Sequence, residues 1–256
     1  MKTTIILMGL AMSMQVGARK NNEINNTKTI PAGWEYELKA GVNIGGASPL
    51  SLPAEIREIK DYSPKLNGTI EATVTRWLCN HKAWGVSTGL RIEEKGMKTD
   101  ARVKNYSTEV LNDGNKVKGM WTGDVTTNYN STLITLPVMA NYRFNDTWKV
   151  RAGMFVSYRM DGEFTGSVSN GYLREGNPTG ERVEFGPNQQ STYDFSDDLR
   201  RFHYGLQIGG TWRAYQRFTV NADFTWGFNR IFKSDFNTVT FGMYPLNLNI
   251  GFGYRF

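Results

Sequence analysis

Charged side chains recur at alternate positions within several apolar segments of the sequence. Glu37 and Lys39 flank one leucine, and Arg91 and Glu93 flank one isoleucine. Because the side chains of an extended strand alternate between two faces, the charges of each segment share one face. Such a face can form ion pairs that fill an interior, or it can line a narrow polar path. The residues predicted to face inward are Glu37, Lys39, Glu71, Arg91, Glu93, Arg151, Arg213 and Asp223.

Residues that serve hydrolysis or metal binding are scarce. The chain has two histidines, His81 and His203, and several aspartates lie just upstream of His203. General acid–base catalysis needs a defined geometry, which a polar loop does not supply. One cysteine and two separated histidines do not make a zinc site. We expect no catalytic residue, no metal and no cofactor, with a hydrolase built on His203 as a further alternative.

Apolar residues alternate with polar or small ones in the segments that must position these charges. Every second residue from Leu246 to the terminal Phe256 is apolar, with Asn, Gly and Arg between them. Seven earlier segments show the same period of two, which is typical of half-buried strands. The eight segments begin near Trp34, Leu66, Trp84, Thr132, Trp148, Phe202, Phe218 and Leu246.

The connections between these segments alternate between short turns and long polar stretches. The long stretches are 45–65, 97–130 and 160–199. Outer-membrane barrels combine short periplasmic turns with long extracellular loops. We therefore predict an all-β fold, a closed, antiparallel, up-and-down transmembrane β-barrel of about eight strands. Ten strands would result if segment 160–199 also entered the membrane.

Aromatic residues favour a membrane barrel over a soluble sandwich, whose aromatics would concentrate in mid-strand. They gather at the short-turn ends, where amphipathic rings lie at a membrane boundary. The predicted periplasmic aromatic belt consists of Trp34, Trp84, Trp148 and Trp212. The last strand, which ends on Tyr254 and Phe256, resembles the closing strand of outer-membrane barrels. This resemblance implies that the two residues act in barrel insertion and in closure, by pairing the last strand with the first.

The front of the chain is expected to direct export. Lys2 precedes a short apolar run, and Ala18 offers the small residue of a cleavage site. We predict a signal peptide at residues 1–18, a flexible periplasmic lead-in at 19–33 and the barrel at 34–256.

The composition and charge of the chain restrict the kinds of partner that we expect. The net charge is +6 and the isoelectric point about 9.3, but the basic residues are not clustered, so nucleic acid is not expected. A single cysteine, Cys79, excludes an intrachain disulfide. A mean hydropathy of −0.46 is too polar for a helical membrane protein. The expected partners are outer-membrane lipids and the barrel-assembly machinery.

Four short segments carry a family resemblance. They read GLRIEEKG at 89–96, LP at 136–137, RRFHYGL at 200–206 and GFGYRF at 251–256. With them the chain resembles the PorT-type family of Gram-negative outer-membrane β-barrels over most of residues 34–256. The resemblance implies a barrel at the cell surface without catalytic residues, and the namesake of the family is implicated in protein secretion.

These observations predict a non-enzymatic structural or interaction component with a side-chain-filled interior, linked to protein secretion or surface assembly. Its secretion or surface partner would bind through the loops 45–65, 97–130 and 160–199. The alternative is a porin-like channel for small solutes.

Overall fold

The computed structural model describes residues 33–50, 52–78, 83–112, 115–185 and 190–256, the side chains of 111–116 excepted. The predicted signal peptide, the lead-in up to residue 32, Cys79 and His81 lie outside the described residues.

The described chain consists of β-strands and one 3₁₀ helix. The strands are β1 (Trp34–Pro49), β2 (Ile56–Pro64), β3 (Asn67–Trp77), β4 (Trp84–Asn112), β5 (Asn115–Arg143), β6 (Trp148–Glu175), β7 (Arg182–Phe185), β8 (Ser191–Asp194), β9 (Phe202–Tyr215), β10 (Phe218–Gly227) and β11 (Met243–Arg255), and the 3₁₀ helix is Ser196–Asp198. Among the described residues, no helix is both long enough and apolar enough to cross a membrane.

Eight strands pair into one closed antiparallel barrel. The order is β1, β3, β4, β5, β6, β9, β10 and β11, and β11 pairs back with β1, placing Leu38 opposite Tyr254 at the seam. Because this order follows the chain, the predicted all-β, up-and-down barrel of eight strands is confirmed. The ten-stranded alternative is wrong, because β7 and β8 extend the edge of β6 outside the closed circuit.

The outer face of the barrel is apolar and its inner face is polar. On β10, Phe218, Phe224 and Trp226 are exposed, whereas Asn221 and Asp223 between them are buried. Apolar surface left in water costs about 25 cal/mol per Å². A continuous apolar surface of this kind marks a membrane or partner contact. We call the outward apolar side chains of the eight strands the apolar band.

The segments 45–65, 97–130 and 160–199 are mostly strand, not loops as the sequence predicted. β4 and β5 contain 29 residues each and stay paired as far as Asn112 opposite Asn115. β2 adds to β4, while β7 and β8 add to β6. A membrane crossing needs only about 9–11 residues per strand. The strands therefore continue beyond the apolar band as an extension, formed by β2, β7, β8 and residues 97–130 and 160–175.

A separate apolar core holds the extension together. Trp121 is fully buried and packs edge-on against Phe185, with ring centroids 5.2 Å apart. Phe164 packs in the same way against Phe232 at 4.9 Å. Tyr193 keeps its hydroxyl 2.7 Å from Thr127 Oγ1, and burial raises the pKa of that hydroxyl. The inward face thus changes from polar inside the barrel to apolar inside the extension. Burial of this apolar face stabilises the pairing of the strands in the extension.

Candidate functional site

Charged residues of neighbouring strands meet in the barrel interior, and one of them reaches across to the far wall. Lys39 on β1 donates from Nζ to Glu71 Oε1 at 2.9 Å, and Arg91 on β4 donates to the other oxygen of that carboxylate. Arg91 Nη2 also donates to Gln207 Oε1 on β9 at 3.1 Å. All four side chains are buried. Because β4 and β9 are not neighbours in the barrel, the bond from Arg91 to Gln207 bridges the lumen.

Glu93 anchors a second group above this bridge. Its side chain is 1% exposed. Thr135 Oγ1 donates to Oε1 at 2.6 Å, and Asn43 Nδ2 donates to Oε2 at 3.3 Å. Lys95 Nζ lies 3.2 Å from Oε1. A buried carboxylate is tolerated when it is paired and hydrogen-bonded, and Glu93 meets both conditions.

Arg151 and Asp223 form a bidentate pair between β6 and β10. Arg151 Nε donates to Asp223 Oδ1 at 2.7 Å, and Nη2 donates to Oδ2. Nη1 donates to Thr211 Oγ1 at 3.0 Å and to Asn221 Oδ1 at 3.3 Å. Parallel N–H···O bonds of this kind add geometric specificity to the charge attraction, so the guanidinium is held in one orientation.

A further cluster at the short-turn end of the barrel was missed by the sequence analysis. Glu35 accepts a bond from Arg143 Nη2 at 2.9 Å and another from Lys149 Nζ at 3.1 Å. Arg255 Nη1 lies 3.3 Å from the same carboxylate. The bonds from β5 and β6 to β1 again bridge the lumen. Glu35 lies two residues before Glu37, on the same alternating face of the strand. Extending the alternation by one step would therefore have identified Glu35.

Arg213 differs from the other predicted inward residues. Its Nη2 lies 3.7 Å from Asp146 Oδ1, and its side chain is 28% exposed. Arg213 stands two residues before the end of β9, where a long side chain reaches the turn after β5. The structure therefore places it at the mouth of the barrel and not in the interior network.

The tryptophans of the predicted belt share one end of the barrel. Trp34, Trp84, Trp148 and Trp212 are between 43% and 58% exposed. Trp148 and Trp212 stack with centroids 6.2 Å apart, and Trp84 lies 4.8 Å from Tyr142. That this end faces the periplasm stays a prediction.

Trp77 lies near the same end but points inward. It is 2% exposed, its Nε1 donates to Glu35 Oε2 at 3.0 Å, and the Arg143 guanidinium lies 3.8 Å from its ring centroid. Its indole therefore belongs to the interior cluster around Glu35 and not to the exposed belt.

The end of the chain closes the barrel at the belt. Phe256 is 71% exposed, and its backbone N–H donates to the Tyr36 carbonyl at 3.0 Å. Tyr254 lies 5.2 Å from the Phe256 ring and 5.3 Å from the Phe218 ring. The role of this pair in insertion stays a prediction.

His203 faces the interior and lies opposite Ser157. The Asp194 carboxylate upstream accepts two bonds from Ser196, from its amide at 2.9 Å and its hydroxyl at 2.6 Å. Asp194 therefore stabilises the turn that leads into the 3₁₀ helix. Within the described ranges, no group of three or more His, Cys, Asp or Glu side chains is placed to hold a metal ion.

A match to a family model identifies the class of barrel, which the geometry alone does not. The model of the outer membrane protein beta-barrel domain family matches residues 15–233. The chain belongs to this family. This outer-membrane barrel therefore resides in the outer membrane, where its apolar band meets lipid.

Several solved outer-membrane proteins are similar to this barrel. Ail, the attachment invasion locus protein of Yersinia pestis, has a TM-score of 0.36 at 13% identity, covering 88% of this chain and 100% of Ail. OprG from Pseudomonas aeruginosa has a TM-score of 0.32 at 13% identity, covering 88% of this chain and 96% of OprG. Among curated proteins, none matches this outer-membrane barrel. TM-scores of this size carry no weight for its function.

Proposed function

We propose that this outer-membrane barrel is a non-enzymatic interaction component of the cell surface, closed inside and binding another protein through its extension. The short-turn end then faces the periplasm and the extension lies outside the cell, as in other barrels of this kind. The PorT-type resemblance suggests a partner in protein secretion or surface assembly, and export would begin with the signal peptide at residues 1–18.

The observation that carries this proposal is the contrast between a bridged interior and a folded extension. The bond from Arg91 to Gln207 crosses the lumen, while Trp121 and Phe185 pack in the apolar core of the extension. Strands that exceed the length of a membrane crossing by roughly 18 residues, packed around a core of their own, suit a binding platform on a rigid scaffold.

A small-solute channel is the alternative. An eight-stranded barrel has an interior just wide enough for side chains to fill. The bridges from Arg91 to Gln207 and from Arg143 to Glu35 occupy that width at two levels, which argues against a permanent path. The buried position of His203 and the engagement of Asp194 with Ser196 support a non-enzymatic role.

The test removes the outer part of the β4–β5 hairpin and leaves the barrel intact. Asp100 pairs with Thr126, so residues 101–125 can be replaced by an Asn-Gly turn at that point. Cells carrying wild type or the shortened variant are cross-linked, solubilised mildly and subjected to affinity capture. Heat-modifiable migration on gels reports whether the barrel has folded.

We expect wild type to capture a specific surface or secretion protein, and the shortened variant to assemble normally but lose it. Val150→Ala, on the lipid-facing side of β6, is the control that should keep the partner. Undiminished capture by the shortened variant would contradict the proposed contact. No partner together with steady conductance would support the channel.

A further inference from the structure

The barrel wall opens on one side where the extension begins. β1 pairs with β3 from Trp34 to Asn43, and within the described residues its upper part, 44–49, has no strand partner on that side. β2 follows β1 in the chain but pairs with β4. Gly45, at the start of this unpaired part, has a φ of 138°, a conformation that favours glycine. A gap in the sheet therefore separates the upper end of β1 from β2.

A cavity of about 420 Å³ lies at this gap. Ile56, Ile59 and Tyr62 of β2 line it on one side, and residues 46–50 line it on the other. Met97, Ala101 and Val103 of β4 and Tyr106 further along form other parts of its lining. Sites for small ligands have volumes of about 300–1,000 Å³ and mostly apolar walls. The cavity therefore has the size and the chemistry of a site for an apolar ligand.

The mouth of the cavity lies beside the apolar band. Leu50, Leu52 and Ile59 at the mouth are 55%, 66% and 49% exposed. Gly46 is in register with Leu246, and Leu246 with Trp226 of the apolar band. The exposed apolar surface thus continues from the lipid-facing side of the barrel to the mouth.

The polar interior forms a boundary below the cavity. Met97 lines the cavity, and two residues earlier on the same inward face Lys95 pairs with Glu93 at 3.2 Å. An apolar group that entered the cavity would therefore meet paired charges and would not pass into the barrel.

We propose that this cavity binds one acyl chain of a membrane amphiphile, which enters sideways through the gap between β1 and β2. An apolar molecule dissolved in water offers similar chemistry, but the gap adjoins the lipid-facing surface, so the membrane is the source. This site is independent of the protein partner proposed above.

A photoreactive phospholipid tests the proposal. The protein is reconstituted in phosphatidylcholine vesicles that contain a trace of phosphatidylcholine with a diazirine at the end of one acyl chain. After illumination, peptide mass spectrometry locates the label. We expect label on the buried Met97, Val103 and Tyr106 in addition to lipid-facing residues such as Phe224.

Ala101→Phe fills the cavity, and it should reduce label on Met97 and Val103 by about tenfold while label on Phe224 stays unchanged. Ala152→Phe makes the same substitution on the lipid-facing side of β6, and it should leave the label on Met97, Val103 and Phe224 unchanged. Ala101→Leu replaces Ala101→Phe if the larger side chain prevents folding, as judged by heat-modifiable migration.

The outcomes separate the two sources of the ligand. Absence of label from Met97, Val103 and Tyr106 in wild type would overturn the proposal, as would equal labelling of wild type and the filled variant. A second arm uses diazirine-tagged octanoate in the aqueous phase with unlabelled vesicles. Label from octanoate but none from the phospholipid would show that the cavity fills from water, which would overturn entry from the membrane.

Discussion

In the barrel interior, Arg151 and Asp223 compensate each other's charge through two hydrogen bonds. Asp223→Asn would leave the buried guanidinium without its carboxylate. Removing one partner of a buried pair costs about 3–5 kcal/mol, so the free energy of unfolding should fall by that amount. Urea unfolding in lipid vesicles, followed by tryptophan fluorescence, measures the change.

Two controls accompany this substitution. Arg151→Met combined with Asp223→Leu should restore most of the lost stability, because apolar replacement of a whole buried pair is often neutral. Lys60→Met breaks the exposed pair with Asp124 and should cost less than about 1 kcal/mol. Equal losses for Asp223→Asn and Lys60→Met would mean that the interior pair is as well solvated as the surface pair.

Asp124, in the extension, gives a pH-dependent contact. Partial burial raises the pKa of its carboxyl group, but bonds from Lys60 Nζ at 2.8 Å and Asn170 Nδ2 at 3.2 Å outweigh it and lower the pKa. A carboxyl group whose pKa is lower in the folded state stabilises the fold at pH values above its pKa in the unfolded chain, which is near 4. That stabilisation is lost as the pH falls through the folded value.

Amide hydrogen exchange in β2, corrected for its intrinsic pH dependence, should therefore accelerate as the pH drops below about 4. In Lys60→Met, exchange should already be faster at neutral pH and should change less on acidification. Exchange in wild-type β2 that is insensitive to acid would contradict a role for the Asp124 carboxylate in holding β2.

At the scale of elements, the eight barrel strands were predictable because each keeps an uninterrupted period of two. The extension lacks that signal. The register of β4 against β5 shifts between Val103 and Tyr106, and Asn105 takes a φ of 57°. Asn170 on β6, with a φ of 51°, lies near another shift of register. Each bulge shifts the alternation of apolar and polar residues along the strand. A long strand that is interrupted in this way therefore looks like a polar loop in the sequence.

The members of the interior network were largely predictable, but their partners were not. Arg91 and Gln207 are 116 residues apart, and they meet because β4 and β9 face each other across the closed barrel. The stagger between neighbouring strands decides which residues lie at the same height in the barrel. The period of two within one strand carries no information about that stagger. Arg213 was misplaced for a related reason, since its distance from the end of β9 decides whether it reaches solvent.

The last strand offers a test at the element scale. The Phe256 amide donates to the Tyr36 carbonyl, and its ring lies beside Tyr254 at the closing seam. Deleting Phe256 should slow assembly into the outer membrane, as measured by the fraction of heat-modifiable barrel after pulse labelling. Phe218→Ala removes an exposed ring of β10 that contacts Tyr254 on the other side of β11, and this variant should assemble faster than the deletion. Normal assembly of the deletion would remove Phe256 from any insertion signal.

As a whole, the molecule encloses two kinds of interior along one continuous set of strands. Inside the apolar band the enclosed side chains are charged and paired, as around Glu71. Beyond it they are apolar, as around Trp121. Paired charges fix opposite walls in register, while an apolar core stabilises strands that have no lipid around them. The change from one interior to the other coincides with the gap between β1 and β2, where the wall is open.

Conductance tests whether the charged interior is closed. Arg143 bridges to Glu35 at the short-turn end, and Arg91 bridges to Gln207 at a second level. We expect wild type to give no steady current in planar bilayers, since two bridged levels leave no continuous path in so narrow a barrel. Arg143→Ala should stay closed because Lys149 and Arg91 still bridge. Replacing Arg143, Lys149 and Arg91 together by Ala should give small, frequent openings. Large steady channels from the wild-type protein would contradict a closed interior and favour the small-solute channel.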